Sequence, residues 1–83
     1  MVVRVTKKRP DAIPVVIGTE FIKLEAALKY ANATQSGGIA KAVIQDGLVK
    51  VNGEVCTMRG KKLYPDDTFT YDGSNYLICI HES

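Results

Sequence analysis

Apolar positions recur along this chain with two periods, and the switch between them divides it. Between residues 21 and 45 the period is helical. Phe21, Leu24, Leu28 and Ala31 follow one another at steps of three, four and three, lining one face, while Lys23, Glu25 and Lys29 fall away from it. Thr19 can cap this helix, Glu25 and Lys29 form an (i, i+4) pair in the favourable order, and Asn32 is the expected stop. A second helix follows within a few residues, with Ser36 as its N-cap, Ala40, Val43 and Ile44 as its inner stripe and Ile39 alongside. Lys41 and Gln45 share its outer face, and Gly47 supplies the left-handed stop. Two helices so closely joined are expected to pack as neighbours.

From Leu48 the period becomes two. Val49 and Val51 alternate with Leu48 and Lys50, and Asn52-Gly53 is the strongest short-range signal for a two-residue hairpin turn, with Glu54-Val55-Cys56 returning. A loop from Met58 to Asp67 ends in the turn chemistry of Tyr64-Pro65-Asp66-Asp67. Thr68 to Tyr71 and Asn75 to Ile80 read as strands around Asp72-Gly73-Ser74. Ahead of the helices, Val15-Val16-Ile17, closed by Gly18, reads as a buried strand. Residues 1–12 combine a β-like run from Val2 to Val5 with the cluster Lys7-Lys8-Arg9, and Pro10 and Pro14 exclude a helix there. That segment is expected to be a flexible arm, with residues 13–83 forming a single α+β domain: a strand, two helices, then an antiparallel meander.

Composition adds bounds. With 83 residues, 46% hydrophobic and 24% charged, the chain is one small globular domain rather than a disordered one. It has no apolar run long enough to span a bilayer, no secretory leader pattern and two cysteines, which point to a cytoplasmic protein without a disulfide framework or membrane partner. The net charge of +2 hides an asymmetry. Residues 21–62 hold Lys23, Lys29, Lys41, Lys50, Arg59, Lys61 and Lys62 against Glu25, Asp46 and Glu54, whereas residues 63–83 hold Asp66, Asp67, Asp72 and Glu82 and no Lys or Arg. A basic middle is the footprint of a nucleic-acid binder, though a solvated surface gives the same count.

Catalytic constellations are absent from the pattern. His81 stands alone, without partners at metal-ligand spacing, and Cys56 and Cys79 fall in strands where small buried side chains are expected. Gly37-Gly38 matches neither a P-loop nor a dinucleotide motif, and Asp66-Asp67 reads as turn-forming. No enzyme, metal, cofactor or small-molecule substrate is implied. Two stretches instead suit an anion. Gln35-Ser36-Gly37-Gly38 opens the second helix, where free N–H groups carry the positive end of the dipole and two glycines leave them uncovered. The same glycines could equally serve a sharp turn into the helix or close packing against the first. Lys41 adds a charge about one turn on. Arg59-Gly60-Lys61-Lys62 sets three cations on a loop, and Tyr64 beside it can stack on an unpaired base or pack beneath the loop.

The order Leu24…Leu28, Ser36-x-x-x-Ala40…Ile44-x-x-Gly47-x-Val49-x-Val51-Asn52-Gly53, then Leu63-x-x-x-Asp67, resembles the S-four-type RNA-binding domain, or αL motif. Within it, Gln35 to Lys41 and Arg59 to Leu63 are similar to the small stand-alone bacterial proteins of the YaaA/YbcJ type. The common family pattern has Arg after the capping Ser and Arg before the first helical Leu; this chain has Gly37 and Lys23. The resemblance implies two short helices packed on a small curved antiparallel sheet, and RNA lying against the second helix and the loop beyond the hairpin. It implies a non-catalytic, ribosome-associated protein that binds structured RNA, ribosomal RNA or a ribosomal particle, through Lys23, Gln35, Ser36, Gly37, Gly38, Lys41, Arg59, Lys61 and Lys62. A protein-docking module and an accessory subunit of an RNA-modifying enzyme are the competing expectations.

Overall fold

The computed structural model describes residues 2–4 and 12–82, side chains being described from Ala12 to Ile80. The cluster Lys7-Lys8-Arg9, with the rest of the expected arm apart from Val2–Arg4 and Ala12, lies outside the described residues, as does the His81 side chain. The elements run β1 (Val2–Arg4), β2 (Ala12–Ile17), β3 (Ile22–Lys23), α1 (Leu24–Tyr30), α2 (Gly37–Gln45), β4 (Val49–Val51), β5 (Glu54–Val55), β6 (Lys62–Leu63), β7 (Thr68–Tyr71) and β8 (Ser74–Glu82).

Strand β8 is the spine. Leu77 is matched with both Thr68 and Pro14, and Ile80 with both Arg4 and Ile17, so β7 and β1 share one edge of β8 while β2 holds the other. The sheet continues outward from β7 through β4 to β5. The α+β class and the packed helix pair are those expected; the sheet, however, is mixed. β2 runs parallel to β8, with Val15 opposite Ile78, whereas the remaining pairs are antiparallel. An apolar run such as Val15-Val16-Ile17 announces a buried strand but carries no information on its direction. Here the helices and the meander together form the long connection that a parallel pair requires.

Strand alternation sends Val15, Ile17, Val49, Val51, Phe69, Tyr76 and Ile78 to the helix-facing side, where they meet Leu24, Ala27 and Leu28 of α1 and Ala40 and Ile44 of α2. Phe69 and Tyr76, cross-strand partners, stack at 4.7 Å between ring centroids. Each fully buried side chain of this size contributes about 1.5–3 kcal/mol, so this layer is what holds the helices down. Ile39, alongside the inner stripe of α2, is exposed, while Ala40 and Ile44 are fully buried.

The turns follow the glycine and asparagine signals. Asn52 and Gly53, with φ of 51° and 86°, form the left-handed pair of a type I′ hairpin, and Asp72-Gly73 repeats it. Asn32 at φ 59° ends α1 and Gly47 at φ 76° follows α2.

On the outer edge of β2, Pro14 has no N–H to offer and the carbonyl of Val16, two residues on, accepts a 2.8 Å hydrogen bond from the Tyr30 hydroxyl. Cys79 and Leu77 lie on the face of β8 away from the helices and are nonetheless buried. Burial pushes the Cys79 thiol above its ordinary pKa, a backbone hydrogen bond at Val15 opposes this, and Asp66 adds to it. Cys56 is only partly buried. A thiol reagent applied to the native protein should therefore modify Cys56 rapidly and Cys79 only on unfolding. Equal rates at both thiols would contradict this packing. Among the described residues no helix is long and apolar enough to cross a membrane, and no group of His, Cys, Asp or Glu could hold a metal ion.

Candidate nucleic-acid interface

The first helix does not begin as its apolar spacing suggests. Ile22–Lys23 is extended and pairs with Lys62–Leu63 as a two-stranded ribbon, with Ile22 opposite Leu63 and Lys23 opposite Lys62. The helix starts only at Leu24, and Thr19 does not cap it; the Thr19 hydroxyl donates to the Phe21 carbonyl at 2.9 Å. Instead the basic loop caps it. Leu24 N–H donates to the Lys61 carbonyl at 2.8 Å and Glu25 N–H to the Arg59 carbonyl at 3.1 Å. Two of the orphan donors at this helix end are thus satisfied by the backbone of the residues whose side chains carry the charge.

This arrangement brings four of the expected residues together. Lys23, Arg59, Lys61 and Lys62 surround the start of α1, all exposed. Lys23 and Lys62 are directly opposite in the ribbon, a like-charge pairing that costs stability. The Lys62 ammonium lies 4.9 Å from the Phe21 ring centroid, over its face. Arg59 Nε stands 3.9 Å from Glu25 Oε2, a buried oxygen that makes no hydrogen bond. Glu25 thus faces Arg59, a partner the (i, i+4) spacing to Lys29 does not suggest.

The other expected residues stand at the far end of α1, about 10 Å along a seven-residue helix. There Ala33 and Thr34 N–H both donate to the Leu28 carbonyl, closing the link to α2. Ser36, extended at φ −150°, caps α2 as expected, its hydroxyl accepting from Ile39 N–H at 3.2 Å. No acidic residue occupies the first turn of α2. Gln35, Gly38 and Lys41 are exposed and Gly37 is partly so. A methyl group placed on Gly37 would meet nothing within 4 Å, and one on Gly38 only the Ser36 hydroxyl at 3.9 Å. Neither glycine takes a left-handed backbone. Close packing and a strained turn are therefore not what these glycines serve.

A polar clamp that the sequence pattern does not announce holds the loop to the hairpin. Asn52 Oδ1 accepts from Thr68 N–H at 3.0 Å and from the Thr68 hydroxyl at 3.3 Å, while its Nδ2 donates to Asp67 Oδ1 at 3.2 Å. The other Asp67 oxygen accepts from Tyr64 N–H at 2.8 Å. Both residues belong to turn motifs, and only the fold brings the two motifs together.

The S4 domain matches residues 15–79, from β2 through most of β8. The chain belongs to the S4 domain family, the class to which its Ser-capped helix, Val-x-Val-Asn-Gly turn and Leu-x-x-x-Asp loop correspond. Among characterised proteins it is similar to the probable ribosome maturation protein RlbA of Bacillus subtilis (strain 168). The two are 44% identical over 62 residues, which cover 75% of this chain and 87% of that one.

Proposed function

We propose that this chain binds structured RNA, ribosomal RNA or a ribosomal particle, and acts by binding rather than by catalysis. The observation that carries the reading is the ribbon pairing of Lys23 with Lys62, flanked by Arg59 and Lys61. A fold with no polyanion to meet gains nothing from placing two lysines opposite each other, while a phosphate backbone laid across them relieves the repulsion. The start of α2, with Gln35, Ser36, Gly37, Gly38 and Lys41, supplies the second anchor on the same ligand, its backbone N–H groups setting position and the cations supplying affinity. The relative's description as a ribosome maturation protein supports ribosomal RNA as the class of target.

Filter binding to ribosomal RNA fragments tests this. Five cations in contact (Lys23, Lys41, Arg59, Lys61 and Lys62) give a slope of log affinity on log salt of about −4. A flat salt dependence or no binding would overturn the proposal. Alanine at both Gly37 and Gly38 should act in opposite directions on fold and binding. Melting should rise, by up to about 1 kcal/mol per glycine, while RNA affinity falls as side chains cover the helix end. A rise in both would remove the glycines from the interface.

One observation favours a protein surface as a second ligand. Leu48, Val55 and Met58 are exposed, and Val55 and Met58 line a groove with Cys56 and Lys61 beside the hairpin. Cross-linking in cells that yields protein adducts and no RNA adducts would favour this reading.

A further inference from the structure

Next to the ribbon the chain holds an exposed aromatic residue on an anchored backbone. Leu63, fully buried, is fixed opposite Ile22. Tyr64 follows it as the first residue of a tight turn whose closing bond runs from Asp67 N–H to the Tyr64 carbonyl at 2.9 Å. Pro65 occupies the second position and Asp66, at φ 83°, the third, as a type II turn requires. The Tyr64 N–H is taken by the Asp67 carboxylate at 2.8 Å. Both backbone groups of Tyr64 are therefore committed, and its side chain keeps only two torsions to order.

The residue is nevertheless 43% exposed. Behind it stands Phe21, with centroids 5.8 Å apart and planes inclined by 46°. Phe21 cannot offer its own face to a ligand on the side that the Lys62 ammonium covers. Tyr64 is the more exposed residue of the pair, backed by Phe21 and two residues along the chain from Lys62, which pairs with Lys23 in the ribbon. A rigid π-face beside phosphate-binding cations is the arrangement that captures an unpaired base, because stacking accepts any base while the cations hold its backbone.

We propose that Tyr64 is a stacking platform for an unpaired nucleotide, so that the RNA recognised carries a bulged or looped-out base next to a helical segment. This rests on RNA being the ligand. It adds a requirement that a surface reading only phosphates would not have.

The test uses the full chain and two RNA hairpins of equal length, one fully paired and one with a single bulged adenosine. The wild type should bind the bulged hairpin about 10-fold more tightly, and Tyr64→Leu should lose that preference while keeping its affinity for the paired one. Tyr64→Phe should retain the preference. The sequence contains no tryptophan, so Tyr64→Trp provides a single reporter whose fluorescence the bulged hairpin should quench and the paired one should not. Melting curves confirm that each variant folds. A wild type that binds both hairpins equally, or a Tyr64→Leu variant weakened equally on both, would overturn the stacking role and leave RNA binding standing. Failure of the wild type to bind either hairpin would overturn both and favour a protein partner.

Discussion

Alanine at Arg59, Lys61 and Lys62 together should lower affinity for a ribosomal RNA hairpin by about 10²- to 10³-fold near 0.1 M salt. Each lost phosphate contact removes close to one power of the salt concentration from the binding constant, so three cost about 2.7 decades at that salt. The same variant should show a salt slope shallower by about 2 to 3, the signature that separates lost charge from lost structure. Stability should change by no more than about 1 kcal/mol. The side chains are exposed, and the carbonyls of Arg59 and Lys61 that cap α1 survive any substitution that keeps the backbone. The term that could raise the cost is Glu25, whose buried Oε2 loses Arg59. Adding Glu25→Gln to the triple variant should recover any such loss in melting without restoring RNA affinity. Unchanged affinity in a folded triple variant would exclude the basic loop from the interface.

Asn52 is the position where a single exposed residue should cost most. Its side chain satisfies the N–H and hydroxyl of Thr68, a residue only 4% exposed, and steadies the Asp67 carboxylate that holds Tyr64. Asn52→Ala leaves a buried donor unpaired, at about 1–3 kcal/mol, and puts a residue with a Cβ but no compensating polar group at φ 51°, at about 1 kcal/mol more. The expected loss is about 2–4 kcal/mol by denaturant titration. Asn52→Gly separates the two contributions. Glycine accepts the left-handed backbone freely, so it should lose the hydrogen-bond portion alone. If Asn52→Gly unfolds like the wild type, the clamp contributes nothing and Asn52 is only a turn former. The clamp also predicts a functional consequence, since the stacking preference for a bulged base should weaken in Asn52→Gly through the freed Tyr64 turn.

Much of this was legible from local pattern, and the exceptions share a cause. Ser36 caps its helix and Asn52-Gly53 turns its hairpin because the physics of each is decided within three or four residues. Phe21 and Lys23 depart from the helical pattern for the opposite reason. Their helical spacing is real, but pairing with Lys62–Leu63, some forty residues on, holds Ile22 and Lys23 as a ribbon and hands the capping of α1 to a distant loop. The direction of β2 is likewise set by β8, about sixty residues later. For the site, the cations were visible as composition, but Glu25 facing Arg59, Asn52 gripping Thr68 and Phe21 backing Tyr64 are contacts between segments remote in sequence. Close packing against α1, one of the roles the sequence allows Gly37 and Gly38, is removed by the open space around both residues.

The outer edge of β2 has a further consequence. A sheet that ends in an apolar six-residue strand offers a template to which another chain's strand can be added, the first step of edge-to-edge aggregation. Here Pro14 withholds the donor at one position and the Tyr30 hydroxyl occupies the Val16 acceptor two residues on. An incoming strand would find its hydrogen-bond ladder interrupted at both. The helix whose start carries the basic loop thus uses its last residue, Tyr30, to keep the sheet from recruiting copies of itself. The guarded strand edge and the basic loop thus stand at opposite ends of α1.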